Sequence, residues 1–500
     1  MNAQMKLSSP VQQAFERIAA RAPALIDTTA EQRIAKLQKL LQATLDARPQ
    51  IHAAVRQELG LCDTDIDAQL MMVKGEIEFY VKHLKKWMRR TPVKGSLMTL
   101  GKKSYIQYEP KGVVLNLATW NAPYAICLVP AIGALAAGNG VIIKPSELAP
   151  YSAQVVADIV RSAYAEDECT VLQGGAEVAQ ELLALPFNHI FYIGGHQVGR
   201  LVMKAAAEHF ASVTLEMGGK NPTIVDASAD IEDAARKIAW GRLSNAGQVC
   251  IAPDYALVHS SIEKPFIEAL QRAMTAMFNA DGRGFEQSKE YPRLINPRHF
   301  ERVKDLIDDA RAKGATISFG GDTHAEARFI SPTIISNVSE QMKVMSDEIF
   351  GPVIAVVPFS TRDDVLRTIR RRPKPLALYI YAKDREEIDF YLQHTTSGST
   401  VVNHNMIQSG TNPNLPFGGV NASGIGRLGG WYTFNECSNT RAIVEEGPSL
   451  DKNPNAFFPP YTDKYKKMAG SMLTRPIVVS DALINVINGV IKVTSSFSRK

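Results

Sequence analysis

Between residues 11 and 90 apolar side chains recur at spacings of three and four, as in RIAKLQKLLQATL and MVKGEIEFYVKHL. That period marks amphipathic helices packed along one face. From residue 113 the texture changes. Short β-rich runs alternate with helical segments: VVLNLATW, AICLVPAIGALAAG, VIIKPSE, a helix from Ser152, HIFYIGG, and a helix from Gln197 to His209. Alternation of this kind implies parallel strands joined by crossover helices. After SVTLEMGGKNPTIVD it restarts with a helix over 230–242, the strand YALVHS, helices near 263–277 and 298–313, and the strands PVIAVVPF, LALYIYA and STVVNHN. A second α/β domain is therefore expected from about Thr214. The apolar stretch Ala125–Ile143 is interrupted by Pro130 and by Gly138-Asn139-Gly140, so it reads as a buried helix running into a strand rather than a bilayer span. The Pro-rich GPSLDKNPNAFFPPYTDK marks the end of the compact fold. Beyond it, RPIVVSDALINVINGVIK has some apolar periodicity but is too short and too Asn-rich to span a membrane.

Length and composition narrow the class. A chain of 500 residues exceeds one ordinary core, so two or three domains are expected. An apolar fraction of 45% and a charged fraction of 21% are those of a globular protein. The 56 basic and 51 acidic residues leave a charge of +5, too dilute to imply nucleic acid. The one basic run, KHLKKWMRR, reads as a solvated helix face. Cys62, Cys127, Cys169, Cys250 and Cys437 are odd in number and scattered, without zinc-type spacing. Free thiols in a reducing compartment and no metal site are expected. The N-terminus lacks the pattern of a secretory signal, so a cytoplasmic location is expected.

Several stretches could carry chemistry. HIFYIGGHQVGR joins a strand, a glycine turn and a helix. Gly194 and Gly199 there would let the backbone approach a phosphate, and the helix start supplies free N–H donors. VIIKPSE ends a strand at Lys144 and is followed by Glu147, an ammonium and a carboxylate that could hold ribose hydroxyls. A carboxylate at that ribose repels a 2′-phosphate and so favours NAD, with NADP possible. A free cysteine has a pKa near ~8.5 and is only about 3% thiolate at neutral pH, so a nucleophilic Cys250 in NAGQVCIAPD needs activation. Glu216 precedes a flexible Met-Gly-Gly-Lys turn from which a carboxylate could take a proton from a thiol or from water. Asn121 in ATWNAPY could offer an amide N–H to an oxyanion. Each residue also has a purely structural explanation: a buried thiol, a glutamate paired with a lysine, an asparagine satisfying a turn.

In combination the segments LATWNAPY, IIKPSE, YIGGHQVG, LEMGGKNPTIV, NAGQVCIAPD, EIFGPVI and LPFGGVNASGIG resemble the aldehyde dehydrogenase superfamily in order and separation, from about residue 10 to 445. The 34-residue interval from Glu216 to Cys250 is similar too. The Gln-Val before Cys250, the Ala-Pro-Asp after it and the FFPPYTDK ending resemble the class-three and coniferyl aldehyde dehydrogenase branch. The resemblance implies an α/β fold with a Rossmann-like cofactor domain (1–88 and 109–213), an α/β catalytic domain (214–400), oligomerisation strands (89–108 and 401–445) and a tail (446–500). It implies Cys250 as nucleophile, Glu216 as general base and Asn121 as oxyanion-hole amide. Lys144, Glu147, Gly194, Gly195, Gly199, Met217, Glu348, Phe350 and Trp120 would hold the dinucleotide. Gly195 stands where many members carry serine, and Asn421 where glycine is common. The implied reaction is NAD(P)-dependent oxidation of an aromatic or medium- to long-chain aliphatic aldehyde to the acid, in a homodimer. Two alternatives stay open from the residues themselves, a cofactor-independent cysteine hydrolase and a catalytically silent binding protein.

Overall fold

The computed structural model describes residues 9–95, 99, 102–408, 412–446, 459 and 461–474. The Pro-rich ending and the RPIVVSDALINVINGVIK stretch lie almost wholly outside them. The described residues fall into two compact units, one drawn from 9–84 and 110–438, the other from 85–109 and 439–474.

The larger unit opens with helices at Pro10–Leu25, Ala30–Asp46 and Arg48–Leu59, and most of a fourth, Asp63–Trp87. Local chemistry sets their ends. Ser9 Oγ accepts from Gln12 N, Thr29 and Gln32 form a reciprocal capping box, and Gly60 closes the third helix in the left-handed region at φ 68°.

Two sheets follow. The six-stranded sheet runs, edge to edge, Gly424–Ile425, Ser212–Met217, His189–Gly194, Val113–Leu117, Gly140–Lys144 and Cys169–Val171. Its strands are parallel except for the Gly424–Ile425 edge, which sets Gly424 opposite Glu216. VVLNL and GVIIK are buried throughout, as parallel strands covered on both faces must be. The Ala125–Ile143 stretch is a buried helix, Pro123–Ala137, that delivers the chain to Gly140–Lys144.

The seven-stranded sheet has the order Thr316–Phe319, Thr333–Ser336, Val353–Phe359, Tyr255–His259, Pro222–Val225, Ala377–Tyr381 and Ser399–Val402. All its pairings are parallel except that of Thr316–Phe319 with Thr333–Ser336. Thr214 lies inside a strand of the first sheet. The change of sheet comes at Gly218–Asn221, where the glycines break the apolar run, and not at Thr214. Thr316–Phe319 was not legible as a strand because it is short and at an edge, with no fully buried residue.

The smaller unit holds a three-stranded sheet of Thr91–Pro92, Lys103–Pro110 and Ser438–Glu445. Tyr105 Oη donates to Glu445 across it at 2.5 Å, and the Arg90 guanidinium lies 4.7 Å from the Tyr105 ring centre. A helix, Asp463–Thr474, follows. Among the described residues no helix is long and apolar enough to cross a membrane.

Candidate active site

Several of the expected residues lie at the carboxyl ends of the first sheet, where open α/β sheets bind ligands, whereas Cys250, Glu348 and Phe350 lie on segments leading into strands of the second. Trp120 and Asn121 follow Val113–Leu117, Lys144 ends its strand, Gly194 and Gly195 close His189–Gly194, and Met217 ends Ser212–Met217. The helix His196–Glu208 starts at Gly195 with no side-chain cap and no acidic residue in its first turn, which leaves its first N–H groups for an anion. Gly199 lies close against Met217, since a Cβ there would come 2.5 Å from Met217 Sδ and displace that side chain. At Gly195 a Cβ would meet nothing within 4 Å, so the space that a serine would use is open. Lys144 Nζ donates to Glu147 at 2.9 Å.

Cys250 sits in a turn that the backbone would not adopt unaided. After the helix Ile231–Leu243, Asn245 (φ 49°), Ala246 (φ 50°) and Gly247 (φ 73°) are successively left-handed. For the two non-glycine residues this costs on the order of 1 kcal/mol each, and side chains over-determine it. Asn245 Nδ2 donates to the Asn121 carbonyl at 2.8 Å, and Arg242 Nη2 to the Gly247 carbonyl at 2.6 Å. Gln248, fully buried, donates to the Asn245 and Arg293 carbonyls at 3.0 Å and accepts from Ile295 N at 3.0 Å. The Asn121 amide is oriented from the same turn, since its Nδ2 donates to the Gln248 carbonyl at 3.0 Å. One amide hydrogen is thereby used and the second remains.

Cys250 is half-buried. Burial pushes its thiol up from the ordinary range, and the carboxyls of Glu348 and then Glu216 push it further, so Sγ is protonated in the free protein. Glu216 is buried, with neither oxygen hydrogen-bonded. Its pKa is well above the usual carboxylate value because of burial, opposed by Arg427. The alternative of a glutamate paired with a lysine does not hold. Lys220, the lysine of that turn, instead bonds Asp254 at 2.6 Å and the Val344 and Asp347 carbonyls.

Glu348 packs against Gly218, where a Cβ would come 2.1 Å from its Oε2, and its Oε1 has no partner. Burial and then Asp254 raise its pKa to about 8, against Arg242, Arg302 and Lys220. A buried ionic cluster fixes this loop to the Cys250 turn. Asp254 takes Lys220 at 2.6 Å and Arg242 at 3.0 Å and accepts from Ile349 N at 3.1 Å, while Arg302 donates to the Ile349 and Phe350 carbonyls at 2.5 and 3.2 Å. Phe350, left-handed at φ 45°, meets Trp120 edge-on at 5.6 Å between ring centres.

Sequence reasoning missed several residues. His299 lies 5.1 Å from the Trp120 ring, with its Nδ1 buried and unpartnered, and burial, Arg302 and Arg298 lower its pKa to about 4. Gln248 and Asn245 stood in the quoted Cys250 motif, but only the fold shows which carbonyls they reach. Asn421 has φ 57°, a region that glycine and asparagine tolerate, and its Oδ1 accepts from Lys374 Nζ at 3.0 Å. That accounts for an asparagine in place of glycine.

A half-buried cysteine, a carboxyl with both oxygens unpaired and an amide held by the cysteine turn thus stand near the glycine turn at the carboxyl ends of the first sheet. The model of the aldehyde dehydrogenase family matches residues 2–443, and the chain belongs to that family. It is 37% identical over 431 residues to aldehyde dehydrogenase family 3 member A2 of Macaca fascicularis, covering 86% of this chain and 87% of that relative. It is 36% identical over 432 residues to 4,4′-diaponeurosporen-aldehyde dehydrogenase of Staphylococcus aureus, covering 86% and 92%. The substrate-bound AldH of Staphylococcus aureus superposes with a TM-score of 0.88 at 34% identity, covering 93% of this chain and all of that one. The fold is thus the aldehyde dehydrogenase fold, in the class-three branch. The chain is an enzyme that oxidises aldehydes with a nicotinamide dinucleotide.

Proposed function

We propose that Cys250 is the nucleophile, Glu216 the base that releases the acid, and Asn121 the amide that steadies the oxyanion, in the oxidation of a lipophilic aldehyde with NAD. The observation that carries this is the Glu216 carboxyl, buried with both oxygens unpaired and near enough to Cys250 to act on its thiol electrostatically. A buried carboxyl without a partner is costly and suits a group that must take a proton during turnover.

The crevice fits a dinucleotide. The uncapped helix start and the open space at Gly195 suit its pyrophosphate, Lys144 and Glu147 suit the adenosine ribose, and the unpaired Glu348 Oε1 suits the nicotinamide ribose. Trp120, Phe350 and Met217 would flank the nicotinamide. The bound dinucleotide supplies the acceptor for the hydride that leaves the substrate carbon. The protein does the rest. Cys250 gives up its thiol proton to solvent as Sγ adds to the aldehyde carbon, and the oxygen that becomes negative accepts a hydrogen bond from the free Asn121 Nδ2–H. After oxidation the acyl group is held on Sγ as a thioester, and Glu216 removes a proton from the water that opens it.

Support for a lipophilic substrate, aromatic of coniferyl type or medium- to long-chain aliphatic, comes from the apolar cluster against which Cys250, Met406 and Phe417 pack, and from the exposed Trp240 and Ile407. A homodimer, a cytoplasmic location and the division into cofactor, catalytic and oligomerisation parts belong to the same proposal. The test is a steady-state comparison of aromatic, long aliphatic and short hydrophilic aldehydes with NAD and with NADP. The expected result is cofactor reduction with preference for NAD and for the lipophilic aldehydes. Turnover without cofactor, or no reduction with any aldehyde, would overturn it.

A further inference from the structure

Three successive carbonyls at the Cys250 turn are held by side chains. Asn221 Nδ2 donates to the Cys250 carbonyl at 2.8 Å and to the Ala252 carbonyl at 3.1 Å, and Tyr379 Oη donates to the Ile251 carbonyl at 2.5 Å. Asn221 belongs to the framework, since its Oδ1 accepts from Ala377 N at the start of the strand Ala377–Tyr381. Tyr379 is different. Fully buried on that strand, it also accepts from Gln408 Nε2 at 2.9 Å and from Met406 N at 3.4 Å.

Its one donor and two acceptor positions are therefore all used, one on the Cys250 turn and two on the loop after the strand Ser399–Val402. That loop has two conformational peculiarities, left-handed backbone at Asn403 (φ 54°) and at Met406 (φ 58°). A second tyrosine of the strand holds the same loop, because Asn405 Nδ2 donates to Tyr381 Oη and to the Lys237 carbonyl, each at 2.8 Å. Tyr381 has no hydrogen bond to the Cys250 turn among those described, so the link from loop to turn runs through the Tyr379 hydroxyl.

We propose that Tyr379 is a positioning residue through which the 403–408 loop sets the placement of Cys250, a role that rests on Cys250 acting as the nucleophile. A displaced loop withdraws two donors from Tyr379 Oη, and the less polarised hydroxyl then holds the Ile251 carbonyl, next to the reacting sulfur, more weakly. A shift of the loop is in this way felt in how fast Sγ reacts.

The test uses the full-length enzyme. Alkylation of Cys250 by iodoacetamide and the pre-steady-state burst of reduced cofactor are measured for wild type, Tyr379→Phe, Gln408→Leu and the double variant, with dinucleotide affinity read separately. Tyr379→Phe should slow alkylation and burst about fivefold, the effect of one ordinary hydrogen bond, with dinucleotide affinity unchanged. Gln408→Leu should slow both in the same direction and add nothing in the Tyr379→Phe background. Unchanged alkylation in Tyr379→Phe, loss confined to dinucleotide affinity, or full multiplicative effects in the double variant would overturn the proposal. If Tyr379→Phe fails to fold, Gln408→Leu decides alone: slowed alkylation supports the link and an unchanged rate removes it. Normal turnover by Cys250→Ala would instead remove the nucleophile role, a failure distinguishable from the others.

Discussion

Replacing Glu348 by glutamine should make the free protein more stable while impairing turnover. Burial raises this carboxyl from 4.5 to about 8, and its Oε1 has no hydrogen-bond partner. In the unfolded chain it ionises above pH 4.5, whereas in the folded protein it stays protonated up to about pH 8. The folded state therefore binds more protons over that window, and stability falls as pH rises through it. At about pH 7.5 the gap of about three units corresponds to at most about 4 kcal/mol, at 1.36 kcal/mol per unit. Because the side chain is only half-buried, solvent screening reduces this to roughly 2 kcal/mol. For 500 residues the unfolding entropy is about 1 kcal/mol per degree, so the variant should melt about 2–4 °C higher at pH 8 and equally at pH 4.5. Thermal scans of both proteins at one scan rate across this range measure the difference. Parallel pH curves, or a variant less stable at pH 8, would refute the inference that the carboxyl is held at a cost.

Other perturbations separate the parts of the site. Glu216→Gln should keep a burst of cofactor reduction of about one equivalent per subunit while slowing steady-state release by roughly 100-fold, as loss of a general base does; stopped-flow absorbance reads both phases. Asp254→Asn leaves Lys220 and Arg242 buried beside each other without their shared carboxylate, which should cost about 3–5 kcal/mol in chemical denaturation and weaken activity with it. Gly195→Ser enters open space, so dinucleotide titration should show unchanged or tighter binding, and a large loss would show that the turn is crowded in the complex.

What the sequence made legible follows from how local each signal is. Apolar periodicity acts within a turn or two, and the helices between residues 11 and 90 appear where it put them, while the Ser9 and Thr29 caps and Gly60 that set their ends emerged only with the fold. Asn121, Glu216 and Cys250 could be named because each stands in a short stretch whose residue types suit one kind of chemistry. Tyr379, Arg302 and His299 could not, because their significance lies in carbonyls or rings that only folding brings near. Lys220 shows the same limit from the other side: adjacent in sequence to the Glu216 strand end, it pairs with Asp254 across the turn. The unpaired state of Glu216 was likewise invisible, since the groups around it, Gly418 among them with room for the carboxyl beside it, come together only on folding.

The mechanism rests above all on an acyl group residing on one sulfur. Glu216→Gln enzyme mixed with NAD and a lipophilic aldehyde, quenched in acid and digested, should yield the peptide containing Cys250 heavier by the acyl group, and the other four cysteines unmodified. An acyl mass on a different residue, or none while reduced cofactor forms, would contradict it.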